Sequence, residues 1–333
     1  MVINNIDTKD ISVVVQGAID KEYTKKCLKS IRKYLPGTEI ILSTWEGSNI
    51  DELDYDVLVL NKDPGGKALD SNRSIVNNTN RQLVSTKNGL KKVNNKYTLK
   101  FRSDNILIDN KFLNYFNKFN FYNDMYKIFQ SRVLVSCVYS REFNEETKFP
   151  TPFHPSDFFI FGYSSDLCDY FENTILMTNT ELADYSFKYI DKLPMKDIYF
   201  QYAPEQYFCY SWLKRHFDDI IFDDWSDWND KNIEQSNNIL CNNFVFLNPY
   251  QSCFINYKHL WALELYHSIY GLITYNIFQN YYKSLCDNNY TIEMDFRDKI
   301  NNLKFYQKLF RIIKYYNKLI IFFLGIRITI KLY

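Results

Sequence analysis

Tyr97-Thr98-Leu99-Lys100-Phe101-Arg102-Ser103-Asp104-Asn105 alternates apolar and polar residues and then runs into a charged tip. The period of two predicts a strand, with Tyr97, Leu99 and Phe101 toward one side and Thr98, Lys100 and Arg102 toward the other. Asp104 then falls at the strand's carboxyl end, which in an open α/β sheet borders the ligand crevice. A carboxylate beside an arginine and a lysine suits a phosphate-bearing ligand. The aspartate can hold a divalent cation, and the two basic groups can meet phosphate oxygens directly. The same residues also fit a plain strand-to-turn junction, in which the aspartate bonds its own backbone.

The segments upstream set the fold class. Ile11-Ser12-Val13-Val14-Val15-Gln16 is a β-branched run that predicts a buried central strand, ended by Gly17. A helix is expected over residues 21–34 and is stopped by Pro36-Gly37. Strands follow over residues 39–45 and 56–61, then a helix over 72–92 and the quoted strand. Strand, helix, strand, strand, helix, strand predicts an α/β protein with a Rossmann-like, mostly parallel sheet flanked by helices. The loops at Gly17, Trp45-Glu46-Gly47, Asp63-Pro64-Gly65-Gly66 and Asp104 then share one sheet edge. Neither a G-x-G-x-x-G nor a G-x-x-x-x-G-K-[ST] motif occurs, which argues against a dinucleotide dehydrogenase and a P-loop nucleotidase. Gly65-Gly66-Lys67 reads as a phosphate cradle or as a turn. Arg73, near the expected helix start, reads as a phosphate contact or as a solvated side chain.

Composition narrows the classes further. A net charge of +1 does not suggest a nucleic-acid binder. No apolar run approaches the ~18 residues of a spanning helix, and the first residues lack a signal peptide's basic and apolar regions. Seven scattered cysteines without a C-x-x-C point to reduced thiols in a cytoplasm. The abundant Asn, Lys, Tyr and Phe match AT-rich codons, so single asparagines and tyrosines receive little weight.

Further along, residues 127–136 read as another strand. The three prolines around Phe153-His154-Pro155-Ser156-Asp157 fix an extended loop that enters a strand ended by Gly162. Asp157 either caps that strand or meets a ligand, while His154 packs beside the prolines. Pro204-Glu205-Gln206 opens a helix, with Glu205 either favouring the helix dipole or acting as a base. Residues 222–243 read as a loop, in which Trp225 and Trp228 stack on a sugar or simply pack. From about residue 257 the chain reads as helical. Residues 297–331 carry nine Lys or Arg and one acid, Asp298. Lys304, Lys308, Arg311, Lys314 and Lys318 at helical spacing suggest a basic amphipathic helix on an anionic membrane surface. Two regions are expected, residues 1–255 and a helical extension over 256–333.

Taken together, Val-Val-Val-Gln-Gly, Leu-Ser-Thr-Trp-Glu-Gly, Lys-Phe-Arg-Ser-Asp-Asn, Phe-His-Pro-Ser-Asp-Phe-Phe and Pro-Glu-Gln-Tyr resemble the WavE lipopolysaccharide-synthesis family over roughly residues 10–260. The resemblance implies a bacterial glycosyltransferase with a GT-A-like fold. It would move a hexose from a nucleotide-diphosphate sugar to a lipid-linked or oligosaccharide acceptor of lipopolysaccharide or capsule. Such folds usually bind Mg²⁺ or Mn²⁺ through D-x-D. Here Asp104 is the only acid of Ser-Asp-Asn, so either it binds the metal alone or Lys100 and Arg102 replace it. Gln16, Gly17 and Trp45 would border base and ribose, with Arg73 on phosphate. Glu205, or else Asp157, would deprotonate the acceptor in an inverting reaction. The enzyme would be cytoplasmic, at the inner face of the cell membrane. A sugar nucleotidyltransferase and a non-catalytic polysaccharide-binding protein are the alternatives.

Overall fold

A computed structural model of the chain describes residues 6–69, 76–145, 147–183, 200–225, 227–260, 263, 266, 269–294, 309–315, 318–324 and 326–331. Strand β1 (Ile11–Gln16) is buried along its whole length, as its β-branched run requires. Helix α1 (Tyr23–Tyr34) turns Cys27, Leu28 and Ile31 inward, and Gly37 at φ +81° reverses the chain after it. Next come β2 (Glu39–Trp45) and β3 (Val57–Asn61). The two-residue strands β4 (Lys67–Ala68) and β5 (Val76–Asn77) pair antiparallel, and α2 (Thr79–Leu90) leads into β6 (Tyr97–Arg102). Strands β7 (Asn105–Leu107), β8 (Val133–Ser136) and β9 (Phe159–Tyr163) precede helices α3 (Ser164–Glu172), α4 (Asn179–Leu182) and α5 (Pro204–Leu213). Helix α6 (Asp230–Asn243), β10 (Phe244–Leu247), the single turn α7 (Pro249–Ser252), β11 (Phe254–Asn256) and α8 (Tyr275–Leu285) complete the first of two compact units, which ends at Asn289.

Seven strands form one sheet in the order β10-β8-β9-β6-β1-β2-β3. Every pairing is parallel except those of β9, which runs against both its neighbours. The chain is therefore α/β, with a mostly parallel, Rossmann-like sheet flanked by helices. Because β1, β2, β3 and β6 share a direction, their carboxyl ends meet at one edge. The reversed β9 starts at that edge, which brings in Asp157. Val14 and Gln16 stand in register with Lys100 and Arg102, on the side covered by α2. A Cβ at Gly89 of α2 would lie 2.4 Å from Val14 Cγ1, so only glycine allows this approach.

Four sequence expectations are corrected. The helix expected over 72–92 begins at Thr79, after β5; residues 70–75, Arg73 included, lie outside the described residues. The strand expected over 127–136 begins only at Val133. Residues 230–243 are a helix rather than a loop, capped by Asn229, whose side chain accepts from the Asn232 N–H. The fourth concerns the second compact unit, residues 290–333. The expected basic helix is not found over 310–331, where β12 (Phe310–Tyr315), β13 (Lys318–Phe323) and β14 (Ile326–Lys331) form an antiparallel three-stranded sheet. Lys304 and Lys308 lie outside the described residues. Runs such as Lys-Leu-Ile-Ile-Phe-Phe are β-branched and aromatic, which favours strands. Leu324, directly after β13, has φ +46°. Among the described residues no helix is long and apolar enough to cross a membrane.

Candidate functional site

A cavity of about 480 Å³ opens at the carboxyl edge of β1, β2 and β6. Gln16, Gly17 and Trp45 line one part of it, and Arg102, Ser103 and Asp104 another. Gly17 has φ +121°, and a Cβ there would stand 3.2 Å from Ser103 Oγ, so the first loop is held tight against the β6 tip. Gln16 is fixed by Ser85 of α2, whose hydroxyl donates to its Oε1 at 2.7 Å. Asp63 and Arg81 form a further wall, joined by two bonds of 2.8 Å.

Asp104 is the electrostatic centre of the cavity. Arg102 donates to both its oxygens at 2.9 Å. Asn256 Nδ2 donates to Oδ1 at 2.9 Å and Lys258 Nζ to Oδ2 at 3.1 Å. Burial of this carboxyl favours its protonated form, but bonds and charge from Arg102 and Lys258 outweigh that and hold its pKa near 2. Asn256 and Lys258 arrive because β11 pairs with β7 directly after the Asp104 tip, with Asn256 opposite Asn105. Tyr257, between them, stacks on Tyr23 and donates to Asp20 at 3.2 Å, which pins this turn to the start of α1.

These contacts bear on a metal. A divalent ion on Asp104 would have to displace the guanidinium, the ammonium and the carboxamide that hold its oxygens. Asp63 is taken by Arg81, while Asp20 accepts from the Glu22 and Tyr23 N–H groups. Among the described residues no three His, Cys, Asp or Glu gather as a metal-binding group. Among the described residues the donor set does not fit a resident divalent ion, and the cations that line the cavity are Arg81, Arg102 and Lys258.

A second cluster lies beneath. Lys100, one step back along β6, is fully buried; its ammonium donates to the Asp157 carbonyl and, at 2.9 Å, to its Oδ2. Among the described residues Asp157 Oδ1 is buried without a hydrogen-bond partner. Pro204 sits at the first position of α5, as expected, and the next residue, Glu205, points its carboxylate at His154, 3.9 Å from Nε2. Burial, then the charge of Asp157, raises the Glu205 pKa to about 8. Burial and the nearby Arg141 lower that of His154 to about 3. Arg102 forms the boundary between the two layers, its guanidinium 4.3 Å from the centre of the Phe158 ring.

The structure thus places Gln16, Gly17, Trp45, Arg102 and Asp104 on the cavity. Lys100, Asp157 and Glu205 form the inner cluster and do not line it. The Gly65-Gly66 pair is a turn whose Gly65 N–H is satisfied by Asp63. Trp225 is buried beside Phe200, whereas Trp228 packs on Phe149 and stays 37% exposed. Sequence reading placed Arg81 on the helix before β6 without a site role, and it missed Asn256 and Lys258. Only the polar Asn-Tyr-Lys-His run after a short apolar triplet marked the last two, and a three-residue strand shows no period.

A comparison with curated proteins finds no match. The sequence profile described as WavE lipopolysaccharide synthesis, in contrast, matches residues 11–317, a span that holds the whole seven-stranded sheet, the cavity and the inner cluster. The chain belongs to the WavE lipopolysaccharide synthesis family.

Proposed function

We propose that the protein is a GT-A-like glycosyltransferase that moves a hexose from a nucleotide-diphosphate sugar to a growing bacterial surface glycan, with inversion at the anomeric carbon. The observation that carries this reading is the pairing of Arg102 and Lys258 on Asp104 at the open edge of the sheet. In such a transfer the acceptor hydroxyl attacks the anomeric carbon and the bond to the β-phosphate breaks. The nucleoside diphosphate leaves with the added negative charge. Arg102 and Lys258 meet that charge in place of a divalent ion, and Asp104 holds them in position. Gln16, Gly17 and Trp45 take the base and ribose.

Glu205 is the candidate for the acceptor's proton; it lies beneath the cavity lining, so it serves as the base only if the bound acceptor hydroxyl reaches the inner cluster. Its pKa near 8, raised by burial first and by the charge of Asp157 second, suits proton exchange close to neutral pH, and Asp157, fixed by Lys100, is a positioning residue. The acceptor is lipid-linked or an oligosaccharide, and the enzyme works at the cytoplasmic face of the membrane. The acid-poor basic stretch over residues 297–331 supports that placement.

The test is release of nucleoside diphosphate from a set of nucleotide sugars, with and without a glycan acceptor. Glu205→Gln should lower kcat by about 10²–10⁴-fold and remove the limb of the pH profile near 8. Unchanged kcat in that variant would remove Glu205 from the reaction.

A further inference from the structure

Cys241 and Cys286 lie outside the cavity and the inner cluster. Cys241 is on α6, Cys286 closes α8, and these two helices pack together. Their Sγ atoms stand 3.7 Å apart, in van der Waals contact, and both thiols are free. Cys241 is buried, whereas Cys286 is only half-buried. Arg132, directly before β8, is buried beside them. Its guanidinium donates to the Cys241, Phe119 and Phe121 carbonyls at 2.6, 2.7 and 2.8 Å, and to Cys286 Sγ at 3.4 Å. Among the described residues its hydrogen-bond partners are thus three carbonyls and one sulfur, with no carboxylate. A buried cation without an anion is costly, and a thiolate at Cys286 would supply the missing charge.

The two thiols are unequal. The hydrogen bond from the Cys241 thiol, and after it the Arg132 charge, lower the pKa of Cys286 against the opposing effect of its partial burial. Burial raises that of Cys241. In its thiol form Cys286 donates to Asn242 Oδ1 at 3.4 Å. A partly exposed sulfur beside a cation and a second thiol is the setting of a peroxide-sensitive cysteine. We infer that Cys286 is an oxidation site whose sulfenic acid is resolved by Cys241, with hydrogen peroxide as the oxidant. The Cys286 thiolate attacks one peroxide oxygen, the O–O bond breaks, and hydroxide leaves as the sulfenic acid forms. That hydroxide takes up the proton Cys286 had released. Cys241 Sγ then attacks Cys286 Sγ, and the Cys241 proton leaves with the displaced hydroxyl as water. Two thiols and one peroxide thus give one disulfide and two waters. The new bond ties α6 to α8 and closes a loop that carries Asn256 and Lys258. No nucleotide or glycan takes part, so this site stands independently of the proposed sugar transfer.

The experiment treats the freshly reduced full chain with a small excess of hydrogen peroxide, blocks the remaining thiols and maps the peptides by mass spectrometry. A peptide linked through Cys241 and Cys286 is expected, and dithiothreitol should reverse it. With iodoacetamide alone near neutral pH, Cys286 should react about tenfold or more faster than Cys168, the other partly exposed cysteine. In Cys241→Ser the sulfenic acid should persist at Cys286 and be trapped by dimedone. The mapping and the alkylation rates need no variant, so they decide the matter even if Cys241→Ser misfolds. Four results would overturn the inference. These are no linked peptide from folded protein, a link between other cysteines instead, alkylation of Cys168 before Cys286, and no dimedone adduct at Cys286 in folded Cys241→Ser.

Discussion

The place of Asp104 at the cavity edge was legible from its position at a strand's carboxyl tip, but its partners were not. Asn256 and Lys258 reach it from 152 and 154 residues away, through a ladder of three residue pairs. Lys100 and Arg102 alternate on one side of β6 as expected, yet one is sealed in the interior and the other borders the cavity, a difference that periodicity does not carry. The ionised Asp104 is favoured by folding, since its pKa is about 2 in the native protein against an ordinary 3.8. Its contribution is therefore complete above pH ~4 and is lost as pH falls toward ~2; the difference amounts to about 2 kcal/mol. Asp104→Asn should cost about that much at pH 6 and flatten the acid limb of stability, as read by urea unfolding across pH. An unchanged acid limb would show that the carboxylate is not held as described.

At the scale of elements, the early strands and α1 were readable because each is buried and strongly patterned. Helix α6 was not, because its buried face is largely asparagine and glutamine rather than apolar. Those asparagines have structural roles that codon bias obscures. Asn243 accepts from the Ile128 and Phe129 N–H groups at 2.8 and 3.0 Å and donates to the Tyr126 carbonyl at 2.7 Å, holding the loop that enters β8. Asn243→Ala should destabilise the protein by about 2–4 kcal/mol, because buried backbone groups would lose their partners. Chemical denaturation would measure it, and a loss near zero would mean the loop finds other bonds. The C-terminal strands were misread for a different reason. Their basic residues fall at helical spacing while their apolar residues are β-branched, and cross-strand pairing followed the second signal.

For the whole molecule, one topological fact organises the site. Four parallel strands end at one edge and the reversed β9 begins there, so loops from across the first unit surround a single cavity with an inner carboxyl cluster below it. The central claim is that this cavity binds a nucleoside diphosphate through Arg102 and Lys258 without a divalent ion. The most direct measurement is thermal stabilisation by UDP, GDP, CMP and dTDP, with Mn²⁺ and with a chelator. A ligand at about 100 times its Kd should add about 2.7 kcal/mol. A selective shift with one nucleoside diphosphate is expected, retained in the chelator and lost in Arg102→Met/Lys258→Met. A shift that needs Mn²⁺ would contradict the role given to those two cations. No shift with any nucleotide, from protein shown to be folded, would contradict the transferase reading itself.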